Sequence, residues 1–158
     1  MPEEGSAENL ASAIYGTILS TALITAYSED AGSVPLEIAG AVFVTSLVFW
    51  LAHAYAGILA RGAARGHWLE RVGTEFERQW PLVVGSVPPI LPLLLAPLGV
   101  LSDDNAEWVA IGTGVALLTA WGAAIAWRRG RGTLGIAMSA ASSAFFGLVV
   151  VGLKVIVH

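Results

Sequence analysis

The sequence predicts an all-α membrane protein: a single helical transmembrane bundle of about five spans over residues 1–158. Three observations predict it. The chain is 56% hydrophobic and 13% charged, with a mean hydropathy of +0.72, whereas soluble domains are roughly 45–50% apolar and about 25% charged. Five apolar stretches, residues 10–27, 34–60, 80–101, 106–127 and 133–157, each approach or exceed the roughly 20 residues that a helix needs to cross hydrocarbon. The linkers between them alternate in charge. None of the stretches keeps the polar and apolar alternation of a membrane barrel.

The first stretch follows the leader "MPEEGSAEN", which is acidic and lacks the basic region of a cleaved signal peptide, so it is expected to be a retained helix. Its Thr17, Thr21 and Thr25 recur every four residues, as do Ser12, Gly16 and Ser20. Two stripes of hydroxyl and small side chains therefore lie side by side. They either line a hydrated path or let helices approach closely and exchange hydrogen bonds.

The second stretch contains His53 within "SLVFWLAHAYAGILARG". Glu37, Gly40, Thr45, Phe49, His53 and Gly57 fall near one helical face, which is expected to point into the bundle. An ionisable ring inside a membrane is a candidate for proton relay or ion coordination. The alternative is a neutral ring bonded to a hydroxyl or carbonyl of a neighbouring helix. Glu37 marks the outer end, either as a cation-attracting mouth or as a solvated first-turn carboxylate favoured by the helix dipole.

Residues 61–79 follow, with Trp68, Leu69, Val72, Phe76 and Trp80 at helical spacing and Arg71, Glu75 and Arg78 on other faces. Such a segment suits an amphipathic helix in the cytoplasmic interface, or a cytoplasmic extension of the third helix. The third span, "WPLVVGSVPPILPLLLAPLG", should be kinked or broken around Pro88, Pro89 and Pro92. Each interior proline removes a backbone donor and crowds the carbonyl four residues back. Pro81 fits a first turn. Broken helices can mark transport sites, because freed carbonyls need partners.

The fourth span lies between "SDDNAE" and "RRGR". The fifth repeats the small and hydroxylated theme through Gly135, Ser139, Ser142, Ser143 and Gly147, and carries Lys154 near its outer end, where it could pair with Glu37 or Asp103. Trp68, Trp80, Trp108 and Trp127 fall at expected membrane edges.

Acidic linkers (Glu29, Asp30 and Glu37; Asp103, Asp104 and Glu107) alternate with basic ones (Arg61, Arg65, Arg71 and Arg78; Arg128, Arg129 and Arg131). Positive loops stay on the cytoplasmic side, so the N-terminus is expected inside and His158 outside, in a plasma membrane of bacterial inner-membrane type. Abundant Ala, Gly and Arg hint at a GC-rich bacterial source.

With no cysteine, the chain can form neither a disulfide nor a thiolate metal site. A net charge of -4 argues against nucleic-acid binding. No phosphate loop, metal-ligand spacing or nucleophile with a matched base is present, so no cofactor, metal or catalytic residue is expected. An odd number of spans without a repeat also disfavours paired inverted halves.

At "YGTILSTALITA" and "VFWLAHAYAG" the chain resembles uncharacterised small multi-pass integral membrane proteins of actinobacterial type, which implies a location rather than an activity. "FWLAH" also resembles the second helix of a potassium-channel family. That family's first-helix Arg-x-x-x-Phe-Ser-Asp signature is missing here, and no site is carried over.

The resulting expectation is an oligomeric ion or small-solute conduit in the lipid bilayer. Its intramembrane polar site would use His53, Thr45, Glu37, Thr17, Thr21, Ser139 and Ser143, and its helix break Pro88, Pro89 and Pro92. On that expectation, His53→Ala and Pro88→Ala alter flux. The alternatives are a non-transporting assembly subunit or scaffold with a membrane-protein partner and, third, a membrane-embedded enzyme.

Overall fold

A computed structural model describes residues 2–28, 32–60 and 68–156. Glu29, Asp30, Arg61, Arg65 and His158 lie outside the described residues, as do the side chains of Trp68, Leu69, Arg71 and Lys154. The described chain is all helical: α1 (Pro2–Tyr27), α2 (Pro35–Ala60), α3 (Trp68–Ile90), a short 3-10 helix (Leu91–Leu95), α4 (Asp103–Arg128) and α5 (Thr133–Ile156).

Among the described residues, three segments are long and apolar enough to cross a membrane: Glu8–Tyr27 of α1, Pro35–Ala60 and Asp103–Arg128. The other two expected spans form helices but fall short of that criterion. In α5 the apolar segment that counts is Thr133–Val149. In α3 the residues from Trp68 to Gln79 are continuous with the apolar part instead of forming a separate helix, and the α pattern ends at Ile90. Pro81, Pro88 and Pro89 all lie inside α3, while Pro92 sits at the start of the 3-10 helix. The third span, expected to be helical to Leu101, leaves helical geometry after Leu95. Pro97 follows, and Gly99 turns the chain at φ 71°.

Glycine also shapes the turn after α4. Gly130 takes φ 66°, its N–H bonds the Trp127 carbonyl at 2.9 Å, and Arg131 N–H bonds that of Ala126 at 3.1 Å. This is a Schellman closure, which needs a left-handed residue just past the helix end. The "RRGR" motif therefore stops α4 and returns α5 alongside it.

Neighbouring contacts give the directions. Ser12 meets Gln79 and Thr17 meets Gly85, so α1 and α3 run parallel. Gly114 of α4 touches Thr21, and Ile14 and Ile18 share a cavity with Leu118 and Ile125, so α1 and α4 are antiparallel. Gly122 meets Ser139 and Ser143 while Gly147 meets Val115, which makes α4 and α5 antiparallel. The helices alternate up and down.

The burial pattern differs from that of a soluble domain in its buried hydroxyls and its exposed large apolar side chains. Thr17, Ser20, Thr21, Thr25, Ser46 and Ser86 are buried, whereas Phe43, Val44, Val48, Leu98, Val100 and Phe145 are exposed. The apolar cluster of Ile24, Ile38, Val42, Leu93 and Ile111 fills the end of the bundle near the 3-10 helix. Small polar residues inside and large apolar ones outside suit a body solvated by hydrocarbon.

Candidate functional site

The densest chemistry lies where α1 crosses α3. Gly16 lies against the Leu82 backbone and Gly85 against that of Ala13, so closely that a Cβ at either position would overlap the opposing carbonyl oxygen. Two glycines thus bring the helices to backbone contact, the arrangement that small-residue motifs allow in membranes.

Thr17 sits in that crossing, fully buried, and its Oγ1 donates to the Gly85 carbonyl at 2.9 Å. The acceptor is chemically special. Gly85 lies four residues before Pro89, which has no N–H, so its carbonyl lacks the usual intrahelical donor. Thr17 supplies one from outside. The same Oγ1 also lies 3.1 Å from the Ala13 carbonyl oxygen, whose α1 donor, the N–H of Thr17, is intact.

The other hydroxyls are occupied locally. Ser20 and Thr21 donate to the Thr17 carbonyl at 3.1 and 2.7 Å, and Thr25 to that of Thr21 at 2.8 Å. On α2, Thr45 donates to Ala41 at 2.7 Å and Ser46 to Val42 at 2.8 Å. Ser139 donates across to the Gly122 carbonyl of α4 at 2.9 Å. Ser143 packs on Gly122 and lines a cavity of about 130 Å³ together with Trp121. The Trp121 Nε1 is buried there and has no hydrogen-bond partner among the described residues.

His53 is where the sequence expectation fails. The ring is exposed on the outside of the bundle, not directed into its interior, and Glu37 and Gly40 on the same expected face are exposed as well. The reason is which residues α2 buries: Ile38, Ala39, Val42, Ser46 and Ala54 form the packed stripe, and the His53 face lies beside it. The ring bonds the Phe49 carbonyl one turn back on its own helix, Nδ1 to oxygen 2.9 Å, instead of a group on a neighbouring helix. It packs against Tyr15 of α1 with centroids 5.3 Å apart.

The predicted site therefore separates into parts. Thr17 and Thr21 belong to the α1 packing face, Ser139 and Ser143 to the α4–α5 contact, and Thr45 to α2 alone. Glu37 is an exposed first-turn carboxylate, and His53 belongs to an outward aromatic patch. Of the proline set, Pro89 has a clear partner relationship, through Gly85 and Thr17.

At the end of the bundle where α3 starts, Trp50 donates from Nε1 to the Phe76 carbonyl at 2.9 Å and stacks edge-on with Phe76 and Trp80. Arg78 pairs with Glu8 near the same end. Trp80, Trp108 and Trp127 are exposed. A groove of about 330 Å³ between α2 and the proline end of α3 is lined by apolar residues including Leu36, Phe43, Ile90 and Leu94. Among the described residues no group of His, Asp and Glu could hold a metal ion.

Gly85, Gly16 and Tyr15 are the site residues that the sequence reading undervalued. Gly85 had a readable signal, since counting back four residues from Pro89 names the carbonyl that must find another donor. No protein-family model, curated protein or solved structure matches this chain.

Proposed function

We propose that the chain is a non-conducting membrane subunit that works by lateral association with other membrane-embedded chains. One observation carries this reading: the α1 hydroxyls that could line a polar path are spent on carbonyls of the bundle itself, with Thr17 closing the gap left by Pro89. A hydroxyl that stitches two helices at a glycine contact leaves no room for hydrated solute.

In this reading all five helices cross the bilayer, with the N-terminus cytoplasmic and the C-terminus external, in a bacterial inner membrane. The alternating helix directions support it, as does the placement of arginine: Arg78, Arg128, Arg129 and Arg131 lie at one end, among the carboxylates Glu8, Glu75 and Glu77, while Glu37, Asp103 and Asp104 lie at the other. The third crossing is made in two geometries. Trp80 to Ile90 as α-helix and Leu91 to Leu95 as 3-10 helix together rise about 26 Å, close to the roughly 30 Å of hydrocarbon.

The second reading is a conduit formed between copies, favoured by the outward position of His53. Reconstitution into liposomes tests the two. The subunit reading expects background proton and ion flux, unchanged by His53→Ala or Pro88→Ala. Flux above background that either substitution alters would overturn it and support the conduit.

A further inference from the structure

We infer that the face carrying Tyr15 and His53 is the docking surface for a second copy of this chain. The inference rests on the association reading above and names the partner.

Hydrogen-bond chemistry fixes the ring first. A carbonyl only accepts, so the Nδ1 that lies 2.9 Å from the Phe49 oxygen must carry the proton. In the neutral ring, Nε2 is then a bare acceptor on an exposed side chain. Beside it Tyr15, 39% exposed, presents a hydroxyl that makes no hydrogen bond among the described residues. The patch thus holds one unmet acceptor and one unmet donor, with ring centroids 5.3 Å apart.

The setting makes those groups costly. Tyr15 lies seven residues inside the apolar segment that begins at Glu8, and His53 seven residues from the end of α2 at Ala60. Each is therefore about 10 Å from the near end of its apolar segment, inside the hydrocarbon, where polar groups turn toward protein partners. Lipid tails offer neither a donor nor an acceptor.

A second copy offers both. A two-fold axis normal to the membrane preserves depth and maps the patch onto itself, as isologous interfaces require. Because the two rings are neighbours, each copy's Tyr15 hydroxyl can reach the Nε2 of the other's His53, which makes two equivalent hydrogen bonds. Ala52 and Ala56, exposed at four-residue spacing around His53, let the two α2 backbones approach closely enough for this.

The chain has no cysteine, so single-cysteine cross-linking of the full chain in native-lipid nanodiscs is a clean test. Ala56→Cys is expected to give a disulfide-linked homodimer, while Val109→Cys and Met138→Cys, exposed on α4 and α5, are expected to stay monomeric. Tyr15→Phe or His53→Phe removes both symmetric bonds while keeping a ring, so each should weaken dimerisation by about tenfold. The double variant should be no worse than either single one.

Three results would overturn the inference: an unchanged dimer in Tyr15→Phe, cross-linking from Ala56→Cys to a different protein, or a monomer at every protein-to-lipid ratio. The second would leave the association reading standing. A monomer recovered without any partner would remove both.

Discussion

Replacing Thr17 tests the Pro89 argument at the level of one hydrogen bond. In the native chain the Gly85 carbonyl receives the Thr17 hydroxyl at 2.9 Å and has no α-helical donor, because residue 89 is proline. Thr17→Ala leaves that buried oxygen without either. Stranding a buried acceptor costs about 1–3 kcal/mol in soluble proteins, and interhelical bonds in membranes average about 0.6 with a maximum near 1.7 kcal/mol. The expected cost is about 1–2 kcal/mol, in the upper half of the membrane range because this carbonyl has no alternative donor. Thr17→Ser, which keeps the hydroxyl, should recover most of it.

The decisive step is the cycle with Pro89→Ala. Alanine restores an N–H at position 89, the Gly85 carbonyl regains an intrahelical partner, and Thr17→Ala should then cost less than about 0.5 kcal/mol. The assay is equilibrium unfolding by sodium dodecyl sulfate in mixed micelles, followed by far-ultraviolet circular dichroism. A Thr17→Ala cost that is the same in the native and in the Pro89→Ala background would refute the reasoning, because the hydroxyl would then be worth nothing particular to the proline gap.

The same unfolding assay checks four further expectations. Gly16→Ala and Gly85→Ala must force α1 and α3 apart, since the new methyl overlaps opposing backbone, and each should cost about 1–3 kcal/mol. Gly40→Ala, which meets nothing within 4 Å, should fall within about 0.5 kcal/mol of neutral. Ser139→Ala should cost roughly 0.6–1.7 kcal/mol by removing the bond to the Gly122 carbonyl. Arg78→Ala should cost less than about 1 kcal/mol, because its pair with Glu8 is largely exposed.

Helix type and order were readable because hydrocarbon thickness and backbone hydrogen bonding leave few alternatives for apolar stretches of this length. The limits appear at particular residues. Periodicity grouped Glu37, Gly40 and His53 on one face and took polarity as the sign of an interior, yet α2 buries Ile38, Val42 and Ser46 instead. In a bundle whose outside is also apolar, hydrophobicity does not tell a packed stripe from a lipid-facing one. At the α1–α3 crossing side-chain size does so better, as the buried Gly16, Thr17, Ser20, Gly85 and Ser86 show. On α2 it does not, since Ile38 and Val42 are buried while Gly40, Ala52 and Ala56 are exposed. The third helix shows the opposite limit. Its prolines announced irregular geometry, but only the fold shows that Gly85 is repaired by a residue 68 positions away.

That repair also supports the non-conducting reading proposed above. The Thr17 hydroxyl lies 2.9 Å from the Gly85 carbonyl and 3.1 Å from that of Ala13, and the shorter contact is the one that joins α1 to α3 where they touch through glycine. Widening the crossing to admit water would break the bond, expose the Gly85 carbonyl and separate Gly16 from Leu82 at once. Three losses at one place make an opening through the α1–α3 seam costly. His53 and Tyr15 carry no such commitment: one ring nitrogen is satisfied within α2, and the remaining donor and acceptor face outward. Polar groups already satisfied within the chain stabilise its fold, while the outward Tyr15 and His53 are the groups proposed above to meet a second copy.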